Sequence, residues 1–189
     1  MHELERYLKS YFSINQEDLS KINSLFKPEE LKKGDFYVKQ GAYCKKLSFV
    51  RKGLIRVYKS SPEKDVTQWI STEGYFIADL ISFIFYEASR WNIQALTDCE
   101  LYTISLENYQ KMGQLVPNWY ELEKRFITKC FGTLEDRVFS FISMSAEERY
   151  NQLFENNPEL FNQVSLQYLA SMLGMTPETL SRIRAKRIS

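Results

Sequence analysis

The sequence predicts an α+β protein: a β-roll of the jelly-roll (double-stranded β-helix) type, then one long helix, then a C-terminal helix-turn-helix of winged-helix-like kind. Three observations predict it. Short apolar runs broken by turn residues fill positions 31–104. A stretch opened by Pro117-Asn118 runs to about Met144 without a further Pro and repeats apolar residues at steps of three and four. Residues 164–187 read as two short helices around a glycine corner, the second rich in Arg and Lys. The chain divides accordingly into 1–115, the roll with its N-terminal helices; 116–145, a dimerisation or linker helix; and 146–189, the helix-turn-helix domain.

The N-terminal part reads as two helices. Leu4, Tyr7, Leu8, Tyr11 and Phe12 make one apolar face; Ser13 or Asn15 can cap a second helix carrying Leu19, Ile22, Leu25 and Phe26, which Pro28 stops. The strands follow as Leu47–Val50, Leu54–Tyr58, Val66–Ile70, Trp91–Leu96 and Glu100–Ile104, punctuated by Gly34-Asp35, Gln40-Gly41, Lys52-Gly53, Ser60-Ser61-Pro62 and Glu73-Gly74. Regular short strands favour a roll or sandwich over a βαβ sheet, and Lys52-Gly53 between two apolar runs reads as a hairpin. A short helix is expected over 106–113. On the long helix, Trp119, Leu122, Phe126, Cys130, Leu134, Val138 and Phe141 fit a coiled-coil seam for a homodimer. The same residues also fit a helix lying on its own β-domain. Ser145 to Tyr150 opens a further helix with a capping-box pattern.

The C-terminal segment is the most informative. Leu166, Leu169, Ala170 and Leu173 share one helical face, Gly174 suits a C-cap with positive φ, Thr176 offers an N-cap oxygen and Pro177 fits the first helical position. Leu180 and Ile183 can then pack back, leaving Glu178, Thr179, Ser181, Arg182 and Arg184 outward. A helix of this kind fits the DNA major groove, where Arg donates twice to guanine and Glu accepts from cytosine N4. Charge agrees locally. Over 164–189, Arg182, Arg184, Lys186 and Arg187 stand against Glu178 alone, a net of +3; over 146–163, Arg149 stands against four glutamates, a net of −3. Phosphate contact requires such a concentration of cations; a solvated helix C-terminus also favours them.

Composition excludes other classes. The 189 residues carry a formal net charge of +1 and 44% hydrophobic residues, ample for packed cores. The charged N-terminus is no signal peptide, and Tyr75–Tyr86, broken by Asp79 and Ser82, is too short to cross a bilayer, so a cytoplasmic protein with no membrane partner is expected. Cys44, Cys99 and Cys130 are widely separated without metal-ligand spacing, which reads as free thiols, a redox-sensing role staying open. With His2 the lone histidine, histidine-based metal and nucleophilic sites lose their needed residue. No phosphate-cradling glycine motif occurs. Neither metal, cofactor nor enzymatic activity is expected.

A β-roll, a long helix and a helix-turn-helix in this order resemble the Crp/Fnr family of bacterial transcriptional regulators, most specifically at Gly53–Tyr58, Gly74–Leu80, Ala95–Leu101 and the helix-turn-helix. The resemblance implies a cyclic-nucleotide-binding-like roll that senses an effector. It also implies a dimer clasped through the long helix, a near-palindromic double-stranded operator, and RNA polymerase as a further partner. By motif position, Glu178 and Arg182 look like base readers, and Ser165 and Gln167 like phosphate contacts; Thr176, Thr179, Ser181, Arg184 and Lys186 complete the expected DNA-binding set. Pro177 stands where the family often has Arg or Ser. The sensor departs further: the family's Gly-Glu element is Ala78-Asp79 here, and its Arg-Ser-Ala-type element falls in Ser89-Arg90-Trp91 with the cation displaced by one residue, which in a strand turns a side chain to the other face. Cyclic nucleotide binding is therefore not expected, and the Fnr-type N-terminal Cys cluster is missing. The expected effector pocket comprises Phe76, Ala78, Asp79, Leu80, Ser89, Arg90 and Trp91, although the aromatics here also read as core. A cyclic-nucleotide-responsive activator of the same architecture, a regulator without ligand and a cupin-like enzyme are the alternatives.

Overall fold

The computed structural model describes residues 2–11 and 14–188; Phe12, Ser13 and the side chains of His2, Tyr11 and Arg187 lie outside the described residues. Helices α1 (His2–Tyr11) and α2 (Gln16–Leu25) bury Leu4, Leu8, Leu19 and Ile22. Asn15 caps α2, its side chain accepting from the Asp18 N–H at 2.8 Å. The roll follows: β1 (Lys27–Leu31), β2 (Phe36–Val38), β3 (Lys46–Lys52), β4 (Ile55–Ser60), β5 (Asp65–Ser71), β6 (Phe76–Ile77), α3 (Leu80–Phe85), β7 (Asn92–Ala95) and β8 (Cys99–Ser105). They pair antiparallel as two four-stranded sheets, in the orders β1-β8-β3-β6 and β2-β7-β4-β5. Pro28 lies in β1 opposite Tyr102; at a sheet edge a residue without an N–H is tolerated. Val50, Ile55, Ile93 and Leu101 fill the space between the sheets.

The Lys52-Gly53 hairpin expected from the sequence does not form. Strand β3 pairs with β6 and β8, whereas β4 pairs with β5 and β7 in the other sheet. Gly53 is the corner where the chain changes sheets. Its φ is +102°, and a Cβ there would lie 2.6 Å from the Cys99 sulfur, so the close approach of β8, rather than a turn type, demands glycine. The β4–β5 hairpin is closed instead by Ser61, whose N–H donates to the Lys64 carbonyl.

After α4 (Leu106–Leu115) comes α5 (Trp119–Ser143), then α6 (Ala146–Asn156), α7 (Leu160–Gln163), α8 (Leu166–Met172) and α9 (Pro177–Ile188). The expected seam divides between two faces of α5. Trp119, Leu122 and Phe126 turn inward onto a core shared with α1, α2 and α4, and Phe126 stacks edge-on against Phe76 at 5.2 Å. Cys130, Leu134, Val138 and Phe141 are exposed. The reason is helical geometry: the three successive steps of four from Phe126 to Val138 carry the stripe about 120° around the helix. The exposed apolar stripe is Ile127, Phe131, Leu134 and Val138, with Ile142 beyond it, and its steps of four, three and four hold one face. Phe141 is engaged within its own chain, its ring 4.9 Å from the Arg149 guanidinium and 5.1 Å from that of Arg137.

The C-terminal helices share a core with the roll. Tyr150, Phe161, Leu169, Ala170, Leu180 and Ile183 pack together with Leu54 and Ile70 of the β-sheet region. Helix α8 covers the β5 edge, where the Thr67 N–H donates to the Ser171 hydroxyl at 2.9 Å.

Candidate functional site

Two regions carry chemistry. The first is the α8–α9 pair. Ser165 caps α8 and accepts from the Tyr168 N–H. Beyond α8, the Met175 N–H donates to the Ala170 carbonyl and Gly174 takes φ +67°, a Schellman-type closure that a non-glycine residue fits badly. A Cβ on Gly174 would also meet the Phe141 ring at 2.5 Å. Thr176 caps α9 by accepting from the Thr179 N–H, and Pro177 is the first helical residue. Leu169, Ala170 and Leu180 are fully buried where the helices cross.

The opposite side of α9 faces water. Glu178, Ser181, Arg182 and Lys186 are exposed, Thr179 and Arg184 half-buried; Ser165, Gln167 and Thr176 are exposed at the helix starts. The Glu178 carboxyl is held below its usual value, first by hydrogen bonding to its own backbone N–H at the helix start, then by the Thr176 side chain, with Arg182 adding attraction. Arg182 donates to the Thr179 hydroxyl at 3.3 Å. This face offers both acceptors and cationic donors.

The second region is a cavity of about 380 Å3 between the roll and α5. Of the expected pocket residues, Phe76, Ala78, Asp79, Leu80, Arg90 and Trp91 line it, and Ser89 does not. Ser89 acts one layer behind: its hydroxyl donates to Asp79 at 2.9 Å, and the same carboxylate accepts the N–H groups of Arg90 and Ser82. Buried Asp79 also caps α3, so its oxygens are engaged by the protein itself. The Arg90 side chain is exposed. The remaining wall was not read from the sequence: Trp69, Gln68 and Tyr75 from β5 and its turn, and Lys129, Cys130, Thr133, Leu134 and Arg137 from α5. Arg137 also reaches the helix-turn-helix, donating to the Met172 carbonyl at 2.7 Å. Partial burial pulls its guanidinium below the ordinary value.

Between the regions lies a contact with no sequence signal. Arg56, 2% exposed, is sandwiched between the rings of Tyr58 at 3.9 Å and Tyr168 at 3.8 Å, and donates to the Thr67 hydroxyl. A cation–π stack thus joins β4 to α8.

Residues 28–114 match the family of the cyclic nucleotide-binding domain. No curated protein is significantly similar to the chain. Among solved structures, the c-di-GMP-responsive global regulator CLP of Xanthomonas campestris superposes with a TM-score of 0.69 at 16% identity, covering 91% of each chain. FixK2 of Bradyrhizobium japonicum gives 0.69 at 17% identity, over 85% of this chain and 83% of its own. The catabolite activator protein of Thermus thermophilus gives 0.60 at 18% identity, over 95% and 85%. The fold is that of the Crp/Fnr-type regulators. Within that Crp/Fnr-type architecture, the matched domain runs from β1 into α4, and the cavity lies between it and α5. Among the described residues, no three His, Cys, Asp or Glu side chains gather as metal ligands, and no helix is long and apolar enough to cross a membrane.

Proposed function

We propose that the chain is a dimeric, sequence-specific DNA-binding regulator rather than an enzyme, with 1–115 as sensor, 116–145 as dimerisation helix and 146–189 as DNA-binding domain. One observation carries the reading: Leu180 and Ile183 are buried against α8 while Glu178, Ser181, Arg182 and Lys186 project from the other side of the same helix. In this reading α9 enters the major groove, Glu178 and Arg182 read base edges, and Ser165, Gln167 and Thr176 meet phosphates. Thr179, Arg184 and Lys186 flank them. The solvent-facing stripe Ile127, Phe131, Leu134 and Val138 supports pairing of two copies through α5, which would set two reading helices on a near-palindromic operator, with RNA polymerase as the further partner. Selection of bound duplexes from a random pool tests this: the protein enriches one near-palindromic site, and Arg182→Ala relaxes preference at one base pair per half-site. An unchanged preference contradicts the assignment.

The effector is not a cyclic nucleotide in this reading. The family match over 28–114 favours the opposite view. Against it, Asp79 already accepts three protein donors, and a sugar hydroxyl would have to displace one of them. Calorimetry with cyclic AMP and cyclic GMP decides, and micromolar binding of either favours the cyclic-nucleotide-responsive activator.

A further inference from the structure

We infer that the cavity between the roll and α5 takes a flat aromatic carboxylate, its anionic group met by the Arg137 guanidinium and its ring by Trp69, Tyr75 and Trp91. The inference rests on the reading of the cavity as the effector site and names the ligand's class.

Charge comes first. The cavity wall holds three cations, Arg90, Lys129 and Arg137, against one carboxylate, Asp79. Asp79 accepts from Ser82, Ser89 and Arg90, all on the neighbouring chain segments. Arg137 makes no ion pair among the described residues; its partners are the Met172 carbonyl and the faces of Trp69, at 5.2 Å, and Phe141. A half-buried guanidinium with no ion-pair partner keeps donors to offer, and a carboxylate matches its fork. Shape and polarity come second: Trp69 and Tyr75 lie 5.9 Å apart in one wall, with Phe76 and Trp91 completing an aromatic lining. Such walls suit a ring, and the carboxylate of Asp79 already accepts three protein donors. The same guanidinium holds the last turn of α8, so a bound anion competes for the bond that ties α5 to the helix-turn-helix.

Calorimetry on the full chain without DNA tests this with 1-naphthoate, its neutral analogue 1-naphthalenemethanol, and cyclic AMP. The acid binds about tenfold or more tighter than the alcohol, and Arg137→Gln removes that preference while leaving alcohol binding in place. Equal binding of acid and alcohol by the unmodified protein, a preference that survives Arg137→Gln, or cyclic AMP binding tighter than the acid would overturn the inference. If Arg137→Gln does not fold, Arg137→Lys carries the test, because it keeps the charge and loses the fork. Acid binding then falls about threefold or more relative to the alcohol, and an unchanged ratio overturns it. Anisotropy on the selected operator separates the two levels. Naphthoate binding by a protein that binds no duplex contradicts the regulator reading and supports this inference; operator binding without naphthoate binding contradicts this inference alone.

Discussion

Phe131 and Phe126 lie five residues apart on one helix, and truncating each to Ala has opposite consequences. Phe131 is 57% exposed. For a ring whose full area is about 200 Å2, that leaves roughly 110 Å2 for a second copy to cover, or about 3 kcal/mol per protomer at 25 cal/mol/Å2. A symmetric dimer buries the ring twice, so Phe131→Ala, which removes most of that area, weakens pairing by about 4 kcal/mol. That is about a thousandfold, or roughly three decades, in the dissociation constant. Sedimentation equilibrium over nanomolar to micromolar protein reads this directly. The melting temperature of the isolated protomer stays near that of the unmodified chain, because the ring has little to lose within its own fold. Phe126→Ala does the reverse: it opens a hole against Phe76 in the inward core and lowers stability by about 3–5 kcal/mol, well before it touches association. A chain that is monomeric at tens of micromolar, or a Phe131→Ala variant that dimerises as well as the parent, would refute the assignment of the outward stripe.

Other outcomes follow from the same contacts. Gly174→Ala places a side chain at φ +67° against the Phe141 ring; a left-handed residue costs about 1–2 kcal/mol, seen in calorimetry as a drop of about 2–8 °C, and an unchanged Tm contradicts the role given to this turn. Tyr168→Ala strips one face from buried Arg56 and loosens α8 from β5, so exchange of the Thr67 amide accelerates about tenfold; Tyr168→Phe keeps the ring and leaves exchange unchanged. Glu148 closes the capping box of α6, its carboxyl held below the ordinary 4.5, first by the Ser145 backbone N–H and then by the Ser145 side chain. A depressed carboxyl contributes stability above its unfolded value and loses it as pH falls through its folded value. The stability difference between the parent and Glu148→Gln is therefore present at neutral pH and shrinks below about pH 4.5; a difference independent of pH contradicts the capping assignment.

Much of the architecture was legible because it rests on local rules. The strands Leu47–Val50, Val66–Ile70 and Glu100–Ile104 lie within β3, β5 and β8, since short apolar runs between turn residues have few other uses. The glycine corner and threonine cap of the helix-turn-helix were readable for the same reason: positive φ and an N-cap oxygen are chemical requirements of single residues. Relations between distant segments were not legible. Gly53 looked like a hairpin residue because nothing local reports that Cys99 will press against it. Trp119 and Phe131 are equally apolar, and only the folded roll decides which face of α5 it covers. In the cavity, Phe76, Asp79 and Trp91 came from two short motif elements, but Trp69 and Arg137 are brought there by the pairing of β5 and the path of α5. The stack of Tyr58, Arg56 and Tyr168 joins residues about a hundred positions apart in sequence, a distance over which no spacing rule operates.

The central claim is that the exposed side of α9 reads base edges, and methylation interference on the selected operator tests it most directly. A methyl group on guanine N7 lies in the major groove. The account predicts two interference clusters about 34 Å apart on one face of the duplex, each weakened by Arg182→Ala. Undiminished binding to DNA methylated throughout its guanines, with contacts confined to the minor groove, would contradict it.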